Sequence, residues 1–121
     1  MTDRRKELLR EYKETARPMG VYVIRNVENG KCFVASSINI PARLQRHQFE
    51  LQNGSEAVKS LQAEWREFGK DAFTFETLDL LEPLDTPGYD PRSDLAELER
   101  MWIEKLEPFG DRGYNASPNS N

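Results

Sequence analysis

Asn29-Gly30 separates two short runs, residues 20–27 (GVYVIRNV) and 32–37 (CFVASS), both rich in β-branched and aromatic side chains. An Asn-Gly pair between such runs is a strong short-range hairpin signal, because both residues tolerate the positive φ that a tight turn demands. Centring the turn on Asn29 and Gly30 predicts that Val27 faces Cys32, Asn26 faces Phe33 and Ile24 faces Ala35. Cross-strand partners share a face of the sheet. One face therefore carries Val21, Val23, Val27, Cys32 and Val34 and reads as the core side. The other carries Gly20, Tyr22, Ile24, Asn26, Phe33, Ala35 and Ser37, a mixed set that reads as an open surface on which a ligand could rest.

The remaining chain supplies what a hairpin needs to bury a face. Pro41 suits the first turn of a helix with Asn39 as its cap, and Gly54 stops that helix after about residue 53. A second helix is predicted over 56–68, with Val58, Leu61, Trp65 and Phe68 as its apolar stripe and Gly69 at its end. Residues 72–81 alternate at period two, with Phe73, Phe75, Thr77 and Asp79 opposed to Thr74, Glu76, Leu78 and Leu80, which predicts a third strand. Three prolines and a glycine make 82–93 a surface loop. A last helix is predicted over 94–107, followed by a polar, turn-rich end. Residues 3–15 alternate Glu with Lys and Arg and read as a solvated helix, capped by Thr2 or Asp3. The expected fold is α+β, a small three-stranded antiparallel sheet flanked by helices. Residues 1–17 form a charged N-terminal helix and 18–121 the domain proper.

A chain of 121 residues holds one modest core. It has no apolar run near the length of a membrane span, and its charged N-terminus does not resemble a secretory signal. Cys32 is the only cysteine, so neither a disulfide within the chain nor a Cys/His zinc cluster is expected. The expected compartment is a reducing, cytoplasmic one. Net charge is −4. Residues 31–70 carry six basic and four acidic groups, whereas 71–121 carry four basic and twelve acidic ones. That excludes a general nucleic-acid coater, so any nucleic acid must be held by a local, salt-sensitive patch.

Several side chains carry potential chemistry. Leu95, Leu98, Trp102, Ile103 and Leu106 form the apolar stripe of the last helix, and Glu99 falls inside it. A carboxylate there is costly unless a cation or donor meets it. A salt bridge to Arg43 or Arg46 and a metal or catalytic role both satisfy that requirement. Arg43 and His47, four apart, project from one helix face with Arg46 and Glu50 close by, and arginines beside a histidine could hold a phosphate. Tyr22 beside Phe33 reads equally as aromatic packing, Asn115 as an ordinary turn residue, and Cys32 as an inert core residue.

The order of these parts resembles the GIY-YIG nuclease superfamily. Gly20-Val21-Tyr22 stands at the first motif and Phe33-Val34-Ala35 at the second. Arg43 and His47 follow, then Glu99 three residues before Trp102, then Gly113-Tyr114-Asn115. Asn29-Gly30-Lys31, Ser36-Ser37 and Leu61-Gln62 with Trp65 support the likeness, which covers about residues 18–116. The resemblance implies a three-stranded antiparallel sheet with helices and hydrolysis of DNA phosphodiesters with one divalent ion, Mg2+ or Mn2+. It implies that Tyr22 lies in the active site, that Arg43 stabilises charge on the scissile phosphate and that Glu99 is the main metal ligand. It further implies that Asn115 helps hold the site together and that His47 contacts the phosphate region. Phe33, Ala35, Ser37 and Arg46 are the expected substrate contacts.

Three departures bear on activity. The second motif begins with Phe33 where the family has a tyrosine taken as general base, and phenylalanine cannot accept a proton. Loss of general-base help is worth ~10²–10⁴ in rate. Ala35 adds a methyl where the family has glycine, and Glu56 stands at a position that is histidine in some members. Tyr22 or His47 is then the expected substitute base. The alternative is a catalytically impaired nucleic-acid-binding module of the same fold; a protein-interaction domain is a further reading, favoured by the acidic C-terminal part. The chain ends six residues after Asn115, so specificity for duplex or branched DNA is expected to come from a homodimer, a partner protein or the N-terminal helix.

Overall fold

The computed structural model describes residues 18–84 and 87–117. The charged helix expected over 3–15 lies outside the described residues. Strands β1 (Gly20–Asn26) and β2 (Cys32–Ser37) are followed by helices α1 (Ile40–Asn53) and α2 (Lys59–Phe68), strand β3 (Phe73–Leu80) and helix α3 (Arg92–Leu106). The strands form one antiparallel sheet in the order β2-β1-β3, so β1 is central. The α+β architecture read from the sequence is the one observed.

The hairpin exists, but its register differs by two residues from the one the Asn-Gly pair suggested. Tyr22 pairs with Ala35, Val23 with Val34 and Ile24 with Phe33. The loop is wider because two asparagines fold it with their side chains. Asn26 Oδ1 accepts the Glu28 amide at 2.9 Å and Asn29 Oδ1 accepts the Lys31 amide at 3.0 Å. Ladder bonding then closes at Asn26 and Lys31, and only Gly30 takes a positive φ, 80°. A shift of two preserves side-chain parity, so the predicted faces survive. Val27 is the exception: it leaves the strand and is 55% exposed rather than in the core.

The mixed face is not an open surface. Tyr22 and Ile24 are buried there with Ile40, Leu51, Leu61, Ala72, Phe73 and Tyr114, beneath α1 and α2. Val21, Val23, Cys32 and Val34 bury the other face against Leu98, Trp102, Ile103 and Leu106 of α3. Both faces of β1 are therefore dry.

Asn39 caps α1 by accepting the Ala42 amide, Pro41 sits in its first turn and Gly54 ends it at φ 82°. Helix α2 begins at Lys59 rather than 56, which leaves Glu56 in the connection, and α3 begins at Arg92, two residues before the sequence suggested. The period-two reading of β3 fails at one point. A bulge opposite Val21 and Tyr22 pairs Tyr22 with Thr77 and Val21 with Asp79. Asp79 thereby moves to the α3 face, where it accepts the Trp102 indole N–H at 2.9 Å.

The C-terminal segment closes the outer edge of β2. The Tyr114 amide donates to the Cys32 carbonyl, and the Asn115 side chain accepts the Val34 amide at 2.9 Å while donating to the Val34 carbonyl at 2.7 Å. Among the described residues, no helix is long and apolar enough to cross a membrane.

Glu64 on α2 ties the hairpin loop to this segment. It accepts from Asn26 at 3.2 Å, Asn29 at 2.7 Å, Lys31 at 2.8 Å and the Tyr114 hydroxyl at 2.8 Å. Burial alone would raise its pKa, but the donors Lys31, Asn29 and Tyr114 and the charge of Lys31 outweigh burial and lower it. A carboxylate with a depressed folded pKa contributes stability above its unfolded value and loses it as the pH falls through the folded one. Urea denaturation across pH should show Glu64→Gln less stable than the parent by about 1 kcal/mol at neutral pH. That gap should shrink as the pH falls below the ordinary glutamate value of 4.5.

Gly20 carries a second expectation. Its φ is 152°, and a Cβ built there would lie 2.0 Å from the Asp79 carbonyl oxygen. The approach is backbone to backbone at the bulge, so no side chain can swing aside. Gly20→Ala should lower unfolding stability by about 3 kcal/mol, read from the urea midpoint; a change below a few tenths would contradict the close approach.

Candidate active site

Tyr22, in the middle of β1, is 1% exposed, and its hydroxyl must find a partner inside the protein. It meets His47 Nε2 at 2.8 Å. His47 and Glu56 are each 1% exposed, and His47 Nδ1 lies 2.5 Å from Glu56 Oε1. Glu56 Oε2 accepts the Val58 amide at 3.3 Å, the Glu56 amide donates to Gln62 Oε1, and Gln62 Nε2 donates to the Leu51 carbonyl. A buried polar chain thus runs from β1 through α1 into the α1–α2 connection. Among the described residues no buried side-chain nitrogen or oxygen lacks a partner.

The arginine-histidine spacing on α1 predicts one shared helix face. His47 turns fully into the core, while Arg43 stays half-buried. Burial raises the Tyr22 pKa. A hydrogen bond and the positive charge of Arg43 oppose that rise, and the charges of Glu56 and Glu99 add to it.

Glu99 sits half-buried on α3 at the rim of the Val21–Val23 cluster. Its partner is neither Arg43 nor Arg46 through a salt bridge. Glu99 Oε1 accepts the Ser36 amide at 2.9 Å and the Ser36 hydroxyl at 3.3 Å. Arg46 pairs with Glu50 on its own helix, with Nε–Oε2 of 3.5 Å. Among the described residues no hydrogen bond uses Glu99 Oε2, and no group of three His, Cys, Asp or Glu side chains forms a metal cage. One carboxylate oxygen, with waters and phosphate oxygens completing the shell, suits a hard divalent cation that dehydrates reluctantly.

Phe33 is half-buried, its ring 6.4 Å from that of Tyr22 and 5.7 Å, edge-on, from that of His47. Ala35 lies beside Tyr22 on β2. Ser37 Oγ accepts the Asn39 amide at 3.0 Å and shapes the turn into α1. Asn115 commits both ends of its amide to the Val34 backbone, as a strap on β2. In the sequence Ser36 counts only as part of a phrase supporting the family likeness and Glu56 only as a departure from it; neither is assigned a role there. A serine in a Ser-Ser pair and a glutamate just after a helix-ending glycine both resemble ordinary surface residues, and only the fold brings their partners to them.

A three-stranded β2-β1-β3 sheet with a tyrosine in the central strand and an arginine, a histidine and a glutamate around it defines a GIY-YIG type domain. A model of the GIY-YIG catalytic domain matches residues 18–115, and the chain belongs to that family. It is similar to the solved catalytic domain of intron endonuclease I-TevI in a mutant form, with TM-score 0.68 and 25% identity over 86% of this chain and 99% of that one. It is also similar to a second structure of that domain, described as from homing endonuclease I-TevI, with TM-score 0.66 and 26% identity over 82% of this chain and 98% of that one. No curated protein matches the chain.

Proposed function

We propose that the protein is an endonuclease that hydrolyses DNA phosphodiester bonds with Mg2+ or Mn2+. The observation that carries this reading is Glu99, whose carboxylate is fixed through one oxygen by the amide and hydroxyl of Ser36. Family membership and the likeness to an endonuclease catalytic domain support it. In this reading Glu99 holds the divalent ion through its carboxylate, with Oε1 kept in place by Ser36. The ion would neutralise charge developing on the phosphate. Arg43 grips a non-bridging phosphate oxygen, where a preorganised guanidinium does most in a site sheltered from water. Phe33 has no hydroxyl, so activation of the attacking water falls to Tyr22 with His47 behind it. A phenol whose pKa is raised by burial holds little phenolate at neutral pH, so it serves as base only while passing its own proton inward to His47. Arg46, exposed on α1, adds a screened contact to a flanking phosphate, and a second copy or a partner protein supplies the choice of site.

Plasmid, linear duplex and branched DNA incubated with Mg2+ or Mn2+ should be cleaved. Glu99→Ala and Arg43→Ala should each slow single-turnover cleavage by about 10²–10³-fold. Cleavage by Glu99→Ala at the parental rate would end the reading. Phe33 favours a second reading, a DNA-binding module without turnover. Salt-sensitive binding with no nicking in either metal would select it.

A further inference from the structure

Glu56 has no part in the reading above, yet it makes the shortest contact to the only histidine in the chain. We infer that Glu56 is a positioning residue: it fixes His47 with its proton on Nδ1, so that Nε2 stays bare and draws the proton of Tyr22. The inference rests on the nuclease reading for its catalytic consequence and on geometry alone for the tautomer.

An ionised carboxylate only accepts hydrogen bonds. Glu56 Oε2 already accepts the Val58 amide, and Oε1 lies 2.5 Å from Nδ1. Both oxygens act as acceptors when Nδ1 carries the hydrogen. In a neutral ring Nε2 is then an acceptor, and the 2.8 Å contact to Tyr22 is the phenol donating inward. The Tyr22 oxygen keeps its lone pairs for Arg43 and for a water. The titratable and charged groups around the imidazole are Tyr22 from β1 and Glu56 from the α1–α2 connection, with Arg43 on α1 and Glu99 on α3 acting on the phenol. The uncharged Phe33 ring covers one edge. With the opposite tautomer Nε2–H would point at the Tyr22 oxygen and occupy the lone pair a water needs.

The proton balance follows. As the water oxygen bonds to phosphorus, one water proton passes to the Tyr22 oxygen and the Tyr22 proton passes to His47 Nε2. His47 becomes an imidazolium facing the Glu56 carboxylate, which stays ionised. The P–O ester bond breaks, and the leaving oxygen takes a proton from solvent. His47 then returns its proton through Tyr22 to solvent. A base aligned by a buried carboxylate follows the same logic as a catalytic triad, and here it stands in for the hydroxyl that Phe33 lacks.

A single histidine makes the test direct. Nitrogen-15 NMR of the full chain at neutral pH should show one protonated nitrogen, Nδ1, and one bare nitrogen, Nε2. Glu56→Gln, close in shape and able to donate to a bare Nδ1, should move the ring toward the Nε2–H form. It should slow single-turnover cleavage about 10²-fold with little change in the apparent KM for DNA. In a His47→Gln background the same substitution should cost less than about 2-fold, because residues acting as a unit are not additive. An Nε2–H or doubly protonated ring in the parent overturns the inference, even if the Gln variant fails to fold. Parental cleavage rates for folded Glu56→Gln overturn the catalytic role. If the parent cuts no DNA in either metal, the nuclease reading falls and takes that role with it, while the NMR signature separately decides whether Glu56 sets the tautomer.

Discussion

A phenol that is 1% exposed, in the middle of a strand covered on both faces, depends on the protein for a partner. The cost of leaving such a group unpaired is about 1–3 kcal/mol, a large part of what holds a small domain together. Much of the polar interior follows from that one placement. Tyr22 requires an acceptor or donor, and His47 supplies it from α1. His47 buries a second ring nitrogen, which requires Glu56. Glu56 buries a carboxylate, which takes the Val58 amide and is backed by Gln62. The chain is fully satisfied, and such networks rigidify what they connect. The same geometry fixes the phenol and the imidazole against each other.

The outer edge of β2 shows how Glu99 comes to be held in place. An edge strand exposes alternate amides and carbonyls and is prone to pair with another chain. Here the Cys32 carbonyl is taken by the Tyr114 amide, both Val34 groups by the Asn115 side chain, and the Ser36 amide by Glu99. Gly113 makes this docking feasible, since a Cβ there would lie 2.3 Å from the Pro108 carbonyl oxygen and 2.5 Å from that of Cys32. The tail and the acidic helix therefore share one task, covering an edge, and the carboxylate at the end of that row is left with one oxygen uncommitted among the described residues.

The hairpin, the third strand, the three helices and the caps on α1 were legible because they rest on local signals: Asn-Gly, Asn39 with Pro41, Gly54, and alternation in 72–81. The errors also have local causes. The turn was assigned to two residues because Asn-Gly favours that form, and the side-chain bonds of Asn26 and Asn29 that widen it depend on Glu64, a residue 35 positions from Asn29. The bulge in β3 is invisible to a period-two count because it belongs to the pairing of β3 with β1, not to β3 alone. Glu99 stood out because its helix made it anomalous. The salt bridge, one of the two roles open to it, is not formed, and the strand-edge amide it accepts instead, a group every residue but proline has, leaves no mark in the sequence. Glu56 was noticed only as a departure from family resemblance, for its burial depends on where α2 begins.

Charge sets the last constraint. With a net charge of −4 the chain gains little from long-range attraction to a polyanion. Much of the acidity of the C-terminal part is answered nearby, Arg100 by Glu97 and Glu104, Arg92 by Asp90 and Arg112 by Glu107. On the hairpin side Lys31 is committed to Glu64. On α1, Arg43 is in none of these pairs, and Arg46 is held loosely by Glu50, 3.5 Å away, at the surface. With so balanced a charge, a polyanion would have to be held by particular side chains that the fold places, not by the field of the whole chain.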